Sequence, residues 1–306
     1  MVFLLRKQEK AMQRHLQGYL YLTLAMITVG STVIASRVIA SGMPPFTATA
    51  LRFAAAFPFF LLLMGMTGTR LPSLPLRDWI IVFVQAGAGS VGYTTLLISG
   101  LKLTTAADAG VIIGTLPVVA GALSVVVLRE KPRSSMVLAI VLATTGVLFI
   151  ALSPDAGSGS LPGNALVFGA VICESLFILL NKNLSTPISA LTQSALMTGI
   201  GFGVAMVAAV LAEGVPREFS AGAMSAVIYY ALVPTVVGFI LWYAGAERVS
   251  GVEASLFTAV APVSALLMAF VILGEPLHSN QVAGVGCVLA AVLGLGLFQR
   301  RAMAAK

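Results

Sequence analysis

The chain has 306 residues, of which 58% are hydrophobic and only 9% charged, against roughly a quarter charged in soluble domains. With a mean hydropathy of +1.01, this excludes a soluble globular domain, a disordered chain, a collagen-like repeat and a disulfide scaffold. The net charge of +7 sits mainly at the ends of apolar runs, as in helices oriented across a membrane; no nucleic-acid partner is expected.

The chain reads as an all-α membrane protein. A basic cytoplasmic head, 1–15, precedes a first helix near 17–41, too long for the apolar core of a signal peptide and so a retained anchor. Met43-Pro44-Pro45 opens a second helix near 45–66, and Leu71-Pro72-Ser73-Leu74-Pro75 separates it from a third near 78–98. A fourth is expected near 104–128; Arg129-Glu130-Lys131-Pro132 parts it from a fifth near 134–152. After a Pro/Gly/Ser linker at 154–160 come helices near 161–181, 187–211, 220–244, 252–273 and 279–298, then a cytoplasmic tail at 300–306. Most of these runs approach the roughly 20 apolar residues that a crossing needs, and each proline stands where a helix can start but not continue. With the amino terminus inside, the Lys and Arg residues at helix ends divide 14 inside against 3 outside, which puts both termini in the cytoplasm.

Displacing the chain by 145 residues brings Gly100 onto Gly245, Asp108 onto Glu253, Pro117 onto Pro262 and Glu130 onto Glu275. Gapped pairings bring Pro45 onto Pro187 and Val91-Gly92-Tyr93 onto Val237-Gly238-Phe239. The two copies are 16–153 and 161–299. Five helices is an odd number, so the second copy enters the membrane from the opposite side. Ten helices in two inverted-topology repeats of five is a secondary-transporter signature, with the substrate near the midplane between the repeats.

The residues that carry a family resemblance are Gly30-Ser31-Thr32, Ser41-Gly42-Met43-Pro44-Pro45-Phe46, Ala50-Leu51-Arg52-Phe53, Ala261-Pro262-Val263 and Leu273-Gly274-Glu275-Pro276-Leu277. With them the chain resembles EamA-type members of the drug/metabolite transporter superfamily, and in particular the YddG-like exporters of aromatic and neutral amino acids. The resemblance implies a ten-helix carrier that moves small metabolites outward across the bacterial inner membrane. Leu128-Arg129-Glu130-Lys131-Pro132 departs from the family's Gly-Glu-Pro pattern, which Gly274-Glu275-Pro276 keeps.

Glu174 is the one acid deep inside a predicted helix. A carboxylate at that depth faces a cavity, a partner or a proton path; it reads either as a substrate- or proton-handling group or as a protonated structural bond to a neighbouring helix. Ser31 and Thr32 occupy the corresponding break in helix 1, with small neighbours that leave room for a ligand. Gln85, Gly89 and Tyr93 share one face of helix 3, so Gln85 and Tyr93 are candidates for an adjoining wall, joined by Tyr230 from helix 8. Trp79, Tyr19, Tyr21, Trp242 and Tyr243 are assigned to an interfacial aromatic belt. Arg37 reads as a carboxylate-drawing group near the outer mouth or as an interface anchor. Arg52, Glu130 and Glu275 read as structural signature residues: a helix clamp within snorkelling reach of the interface, and two carboxylates at helix ends. Pro117 and Pro262, interior to helices 4 and 9, are candidate hinges or static kinks. The cysteines, Cys173 and Cys287, offer no metal or disulfide framework, and no cofactor is expected.

The leading function is secondary export of small metabolites, amino acids first, by alternating access, with membrane lipid and protons as the other expected partners. Within transport the alternatives are a multidrug exporter and a nucleotide-sugar or sugar-phosphate carrier, the latter disfavoured by the few core cations. An intramembrane enzyme is the remote alternative: His15 and His278 stand at helix ends without a catalytic constellation.

Overall fold

The apolar runs form helices, and no strand occurs among the described residues of the computed structural model: 2–104, 112–129, 131–151, 160–214, 219–268, 270–271 and 278–304. The helices are α1 (Val2–Ala40), α2 (Pro45–Thr67), α3 (Leu76–Leu101), α4 (Leu116–Val127), α5 (Ser134–Ala151), α6 (Leu161–Lys182), α7 (Ala190–Ala212), α8 (Ala221–Ala246), α9 (Gly251–Met268) and α10 (Ser279–Ala304). Seven are long and apolar enough to cross a membrane, within α1, α2, α3, α6, α7, α8 and α9; the apolar segments described in α4, α5 and α10 are shorter. The expectation of ten crossings is thus met in part.

Helix starts follow local chemistry. Proline occupies the first positions of α2, where its missing N–H leaves no bond unmade. In the second half serines take over: Ser160, Ser189, Ser220 and Ser250 each accept a hydrogen bond from the backbone N–H three residues on, capping α6, α7, α8 and α9. Ser250 and Glu253 complete a reciprocal capping box, which satisfies two otherwise orphaned donors.

Helix boundaries recur at the displacement read from the sequence. Pro45–Thr67 returns 145 residues later as Ala190–Ala212, and α5 and α10 begin at Ser134 and Ser279. Both third helices carry a seven-residue π-helical stretch at the same place, Ala86–Gly92 in α3 and Ala231–Val237 in α8. The gapped pairings are therefore corrected: Pro45 pairs with Ala190 rather than Pro187, and the third helices align without a gap.

Packing repeats the same reciprocity. Gly18 of α1 lies against Gly245 of α8, and Gly163 of α6 lies under Gly100 of α3; a Cβ at any of the four would stand within 3.0 Å of the facing helix or the chain just beyond it. Along α1 and α8 the contacts run from Gly18–Gly245 through Thr28–Gly238 to Gly42–Ser220, so the helices are antiparallel. Contacts from Gly100–Gly163 to Gly89–Phe177 make α3 and α6 antiparallel too. Between α2 and α7, Gly199 and Gly201 receive the rings of Phe57 and Phe53.

Acids tie the ends. Glu213, just past α7, accepts from the N–H groups of Phe46 and Thr47 and from the Thr47 hydroxyl, all at 2.8 Å. It thereby caps α2, where a negative charge also meets the positive end of the helix dipole. At the other end of the bundle the buried carboxylate of Asp78 accepts from Ser185 N, Ser185 Oγ and Thr186 N at 2.8–3.2 Å.

Glu213→Ala is expected to cost about 1–3 kcal/mol of stability, the scale of charged hydrogen bonds to otherwise unmet donors. Glu247→Ala removes only an exposed ion pair with Arg248 and should cost under about 1 kcal/mol. Unfolding of purified protein in detergent separates the two; equal losses would contradict the capping role of Glu213.

Candidate functional site

A partly open cavity, about 560 Å³ with the solvent space at its mouth included, lies where α1, α2, α3, α6 and α8 meet. Its walls are Met26, Val29 and Thr32 of α1, Arg52 of α2, and Gly89, Tyr93 and Thr94 of α3. Glu174 and Phe177 of α6, with Tyr230, Pro234, Thr235, Gly238, Phe239 and Trp242 of α8, complete them. Many of these positions are equivalent in the two copies: Val29 and Glu174, Thr32 and Phe177, Gly89 and Pro234, Tyr93 and Gly238, Thr94 and Phe239. The duplication supplies the scaffold, and unlike side chains at matched positions supply the chemistry.

Both π stretches face this cavity, through Gly89 on one side and Pro234 and Thr235 on the other. A π stretch shifts the hydrogen-bond register and releases backbone carbonyls for side chains. Arg52 Nη2 and Thr94 Oγ1 converge on the Ser90 carbonyl at 3.1 and 3.2 Å. Pro234 has no N–H to give the carbonyl of Tyr230 four residues earlier, and the Thr235 hydroxyl donates to that carbonyl at 2.9 Å. Gly89 is required by closeness, since any Cβ there would overlap Phe177.

Glu174 is half-buried, and no hydrogen bond or ion pair engages its carboxylate among the described residues. Arg52 is 5% exposed, with its guanidinium 4.2 Å from the ring centroid of Phe53 and 4.5 Å from that of Tyr230. Opposite the Arg52 end, Phe177 stacks near Phe239, Trp242 and Tyr243 with centroids 5.8–6.2 Å apart. Trp242 Nε1 and Tyr243 Oη are buried without partners, a condition that calls for water or a ligand.

Of the residues expected at the site, Glu174, Thr32, Tyr93 and Tyr230 come together around the cavity. Ser31 is not on its wall; it is buried and donates to the Thr28 carbonyl at 2.6 Å. Gln85 is also off the wall: fully buried, it donates to the Phe177 carbonyl at 2.9 Å and accepts from Gln193 at 3.0 Å, joining α3 to α6 and α7. Arg37 lies on α1, but its side chain is outside the described residues, as are Glu130 and Glu275 altogether. Pro117 and Pro262 do not bend continuous helices: turns at 114–115 and 258–259 interrupt the chain, and each proline falls in the first turn of the helix that restarts. Arg52 does not snorkel to an interface; it lies inside, on the cavity wall. Among the described residues no group of His, Cys, Asp and Glu could hold a metal.

The aromatic belt is also corrected. Trp242 and Tyr243 are each 3% exposed and belong to the core, and Tyr19 is buried with its hydroxyl 2.7 Å from Glu253. Glu253 also meets His15 Nε2 at 2.9 Å and the N–H of Ser250 at 2.7 Å. The Ser-x-x-Glu spacing at 250–253 was the available signal for this cluster.

The sequence pattern of the EamA-like transporter family matches the chain twice, over residues 16–152 and 161–297. The uncharacterized transporter YetK of Bacillus subtilis (strain 168) is 34% identical over 287 residues, covering 92% of this chain and 87% of YetK. Protein PecM of Dickeya dadantii (strain 3937) is 25% identical over 239 residues, covering 75% of this chain and 79% of PecM. A crystal structure with 18% identity superposes with a TM-score of 0.77, covering 90% of this chain and 96% of that one, and supports the fold alone.

Gln85→Leu is expected to destabilise the protein by about 1–3 kcal/mol, because it strands the buried Gln193 amide and the Phe177 carbonyl. Denaturant unfolding checks this, with Ser31→Ala, which loses one local bond, as the mild comparison.

Proposed function

Because this chain belongs to the EamA-like transporter family and is a multi-pass membrane transporter, we propose that it exports small metabolites, aromatic or neutral amino acids first, across the bacterial cytoplasmic membrane by alternating access. On this reading it acts as the YddG-like carriers do. The observation that carries the reading is one cavity holding a carboxylate without a partner, a cation and a wall of aromatic rings. A zwitterion with an apolar side chain fits it, its ammonium group against Glu174 and its side chain against Phe177, Phe239 and Trp242. Phosphorylated substrates fit poorly, since Arg52 is the only Lys or Arg on the described wall and Glu174 opposes a dianion.

The transport geometry is two inverted five-helix repeats, 16–153 and 161–299, joined by the linker 154–160 and flanked by a head at 1–15 and a tail at 300–306. The reciprocal antiparallel packing of α1 on α8 and of α6 on α3 supports the inversion. The Lys/Arg asymmetry supports ten crossings with both termini cytoplasmic. The π stretches, rather than Pro117 and Pro262, are the bending points that touch the cavity. Glu174 is the group through which protons enter the cycle.

Proteoliposomes loaded with a panel of labelled amino acids, with and without a pH gradient, test the substrate class; a blank panel removes it. Glu174→Gln should lower transport at least tenfold or flatten its pH dependence while the protein still reaches the membrane. Near-native transport with unchanged pH dependence returns Glu174 to a structural role. Reporter fusions should read inside at the carboxyl terminus and outside near Gly157; an outside carboxyl terminus overturns the topology.

A further inference from the structure

Arg52 brings a positive charge into the cavity without an acid to balance it. No carboxylate lies within ion-pair distance of it among the described residues, and its Nε is buried without a hydrogen-bond partner. The Ser90 carbonyl at 3.1 Å and the faces of Phe53 and Tyr230 hold the guanidinium in place. Ring faces and a carbonyl orient a cation but do not neutralise it, so a desolvated guanidinium in this setting is under-compensated. Its planar fork is fixed in advance, which lowers the cost of meeting a planar anion.

We infer that Arg52 is the specificity residue for the negative end of the transported molecule: it takes a carboxylate, and molecules lacking one are rejected. The inference rests on the cavity being the transport site and adds which charge the cargo must carry and where. A single cation opposite Glu174 suits a monoanion rather than a phosphate. The order along α8 suggests the orientation, because Tyr230 beside Arg52 precedes Trp242 among the aromatic rings by about 18 Å of backbone at 1.5 Å per residue, so cation and rings lie toward different ends of the wall. The carboxylate points to α2 and the apolar part to Phe177 and Phe239.

The test is thermal unfolding of the purified full-length protein with two matched pairs: phenylalanine against phenylalaninamide, and phenylacetate against phenylacetamide. The wild type should respond to each carboxylate at a concentration at least about tenfold lower than to its amide, the scale of one charge-assisted hydrogen bond. Arg52→Gln should erase both differences and Arg52→Lys should keep part of them. If neither carboxylate outperforms its amide, including the case in which none of the four stabilises the protein, Arg52 is not the anchor. Nor is it the anchor if Arg52→Gln keeps the preference; if that variant does not fold, the wild-type pairs decide alone. A response to phenylacetate over its amide without any response to phenylalanine keeps Arg52 and removes the amino-acid reading.

Discussion

Backbone carbonyls that lose their place in a helix must find another donor, and in a hydrocarbon medium water is not there to supply it. The centre of this transporter is arranged around two carbonyls at its irregular stretches that side chains also meet. Ser90 and Tyr230 sit in or beside the π stretches of α3 and α8, and each carbonyl is met by side chains: Arg52 and Thr94 at the first, Thr235 at the second. The irregular backbone is tolerated because it lies against a cavity and against protein, the circumstance in which non-helical geometry survives at membrane depth.

The duplication explains why there are two such places and not one. Matched helix boundaries put both π stretches at equivalent positions in their copies, and both line the cavity, which therefore inherits a near-symmetric frame. Function then requires that the symmetry be broken in side chains. Val29 against Glu174, Thr32 against Phe177 and Tyr93 against Gly238 place acid and bulk in one copy opposite small or apolar groups in the other. A two-fold frame lined identically on both sides could not give a ligand one preferred direction; this one has an acid, a cation and an aromatic face at three different points.

Helix positions were legible in the sequence because composition, proline placement and basic residues all mark the same boundaries, and the 145-residue displacement was legible because Gly100, Gly245, Pro117 and Pro262 stand out against apolar background. Glu174 was legible for the same reason: one acid in an apolar helix is conspicuous. What escaped was register within helices. A π stretch has no clear residue-level signature, as Ala86–Gly92 and Ala231–Val237 agree only at their Ala and one Val, so the sides on which Gln85 and Trp242 fall could not be read from spacing. Trp242 and Tyr243 resembled belt residues because they lie near a helix end in sequence, and it is the tertiary packing of Phe177 against them that draws both into the core. Pro117 and Pro262 misled in the opposite direction: a proline inside an apolar run reads as a kink, but two turns of chain ahead of them make each a helix start.

The helix ends carry the remaining polar bonds, and their distribution bears on how the cavity opens. At the end where α1 begins, His15 and Tyr19 of α1 meet Glu253 of α9, Lys182 of α6 donates to the carbonyls of Ala246, the last residue of α8, and of Val249 beyond it, and Asp78 of α3 holds Ser185 and Thr186 ahead of α7. Each of these bonds joins one repeat to the other, except that of Lys182, which ties α6 to α8 inside the second. At the opposite end Glu213 joins α7 to the start of α2, and Ser160 joins α6 to the Leu103 carbonyl after α3. Charged and hydrogen-bonded partners at a rim exchange with water at modest net cost, whereas the glycine crossings of α1 with α8 and of α3 with α6 are close-packed and do not deform gradually. Opening the cavity to one side is therefore expected to break rim bonds first, while the glycine crossings of α1 with α8 and of α3 with α6 stay packed.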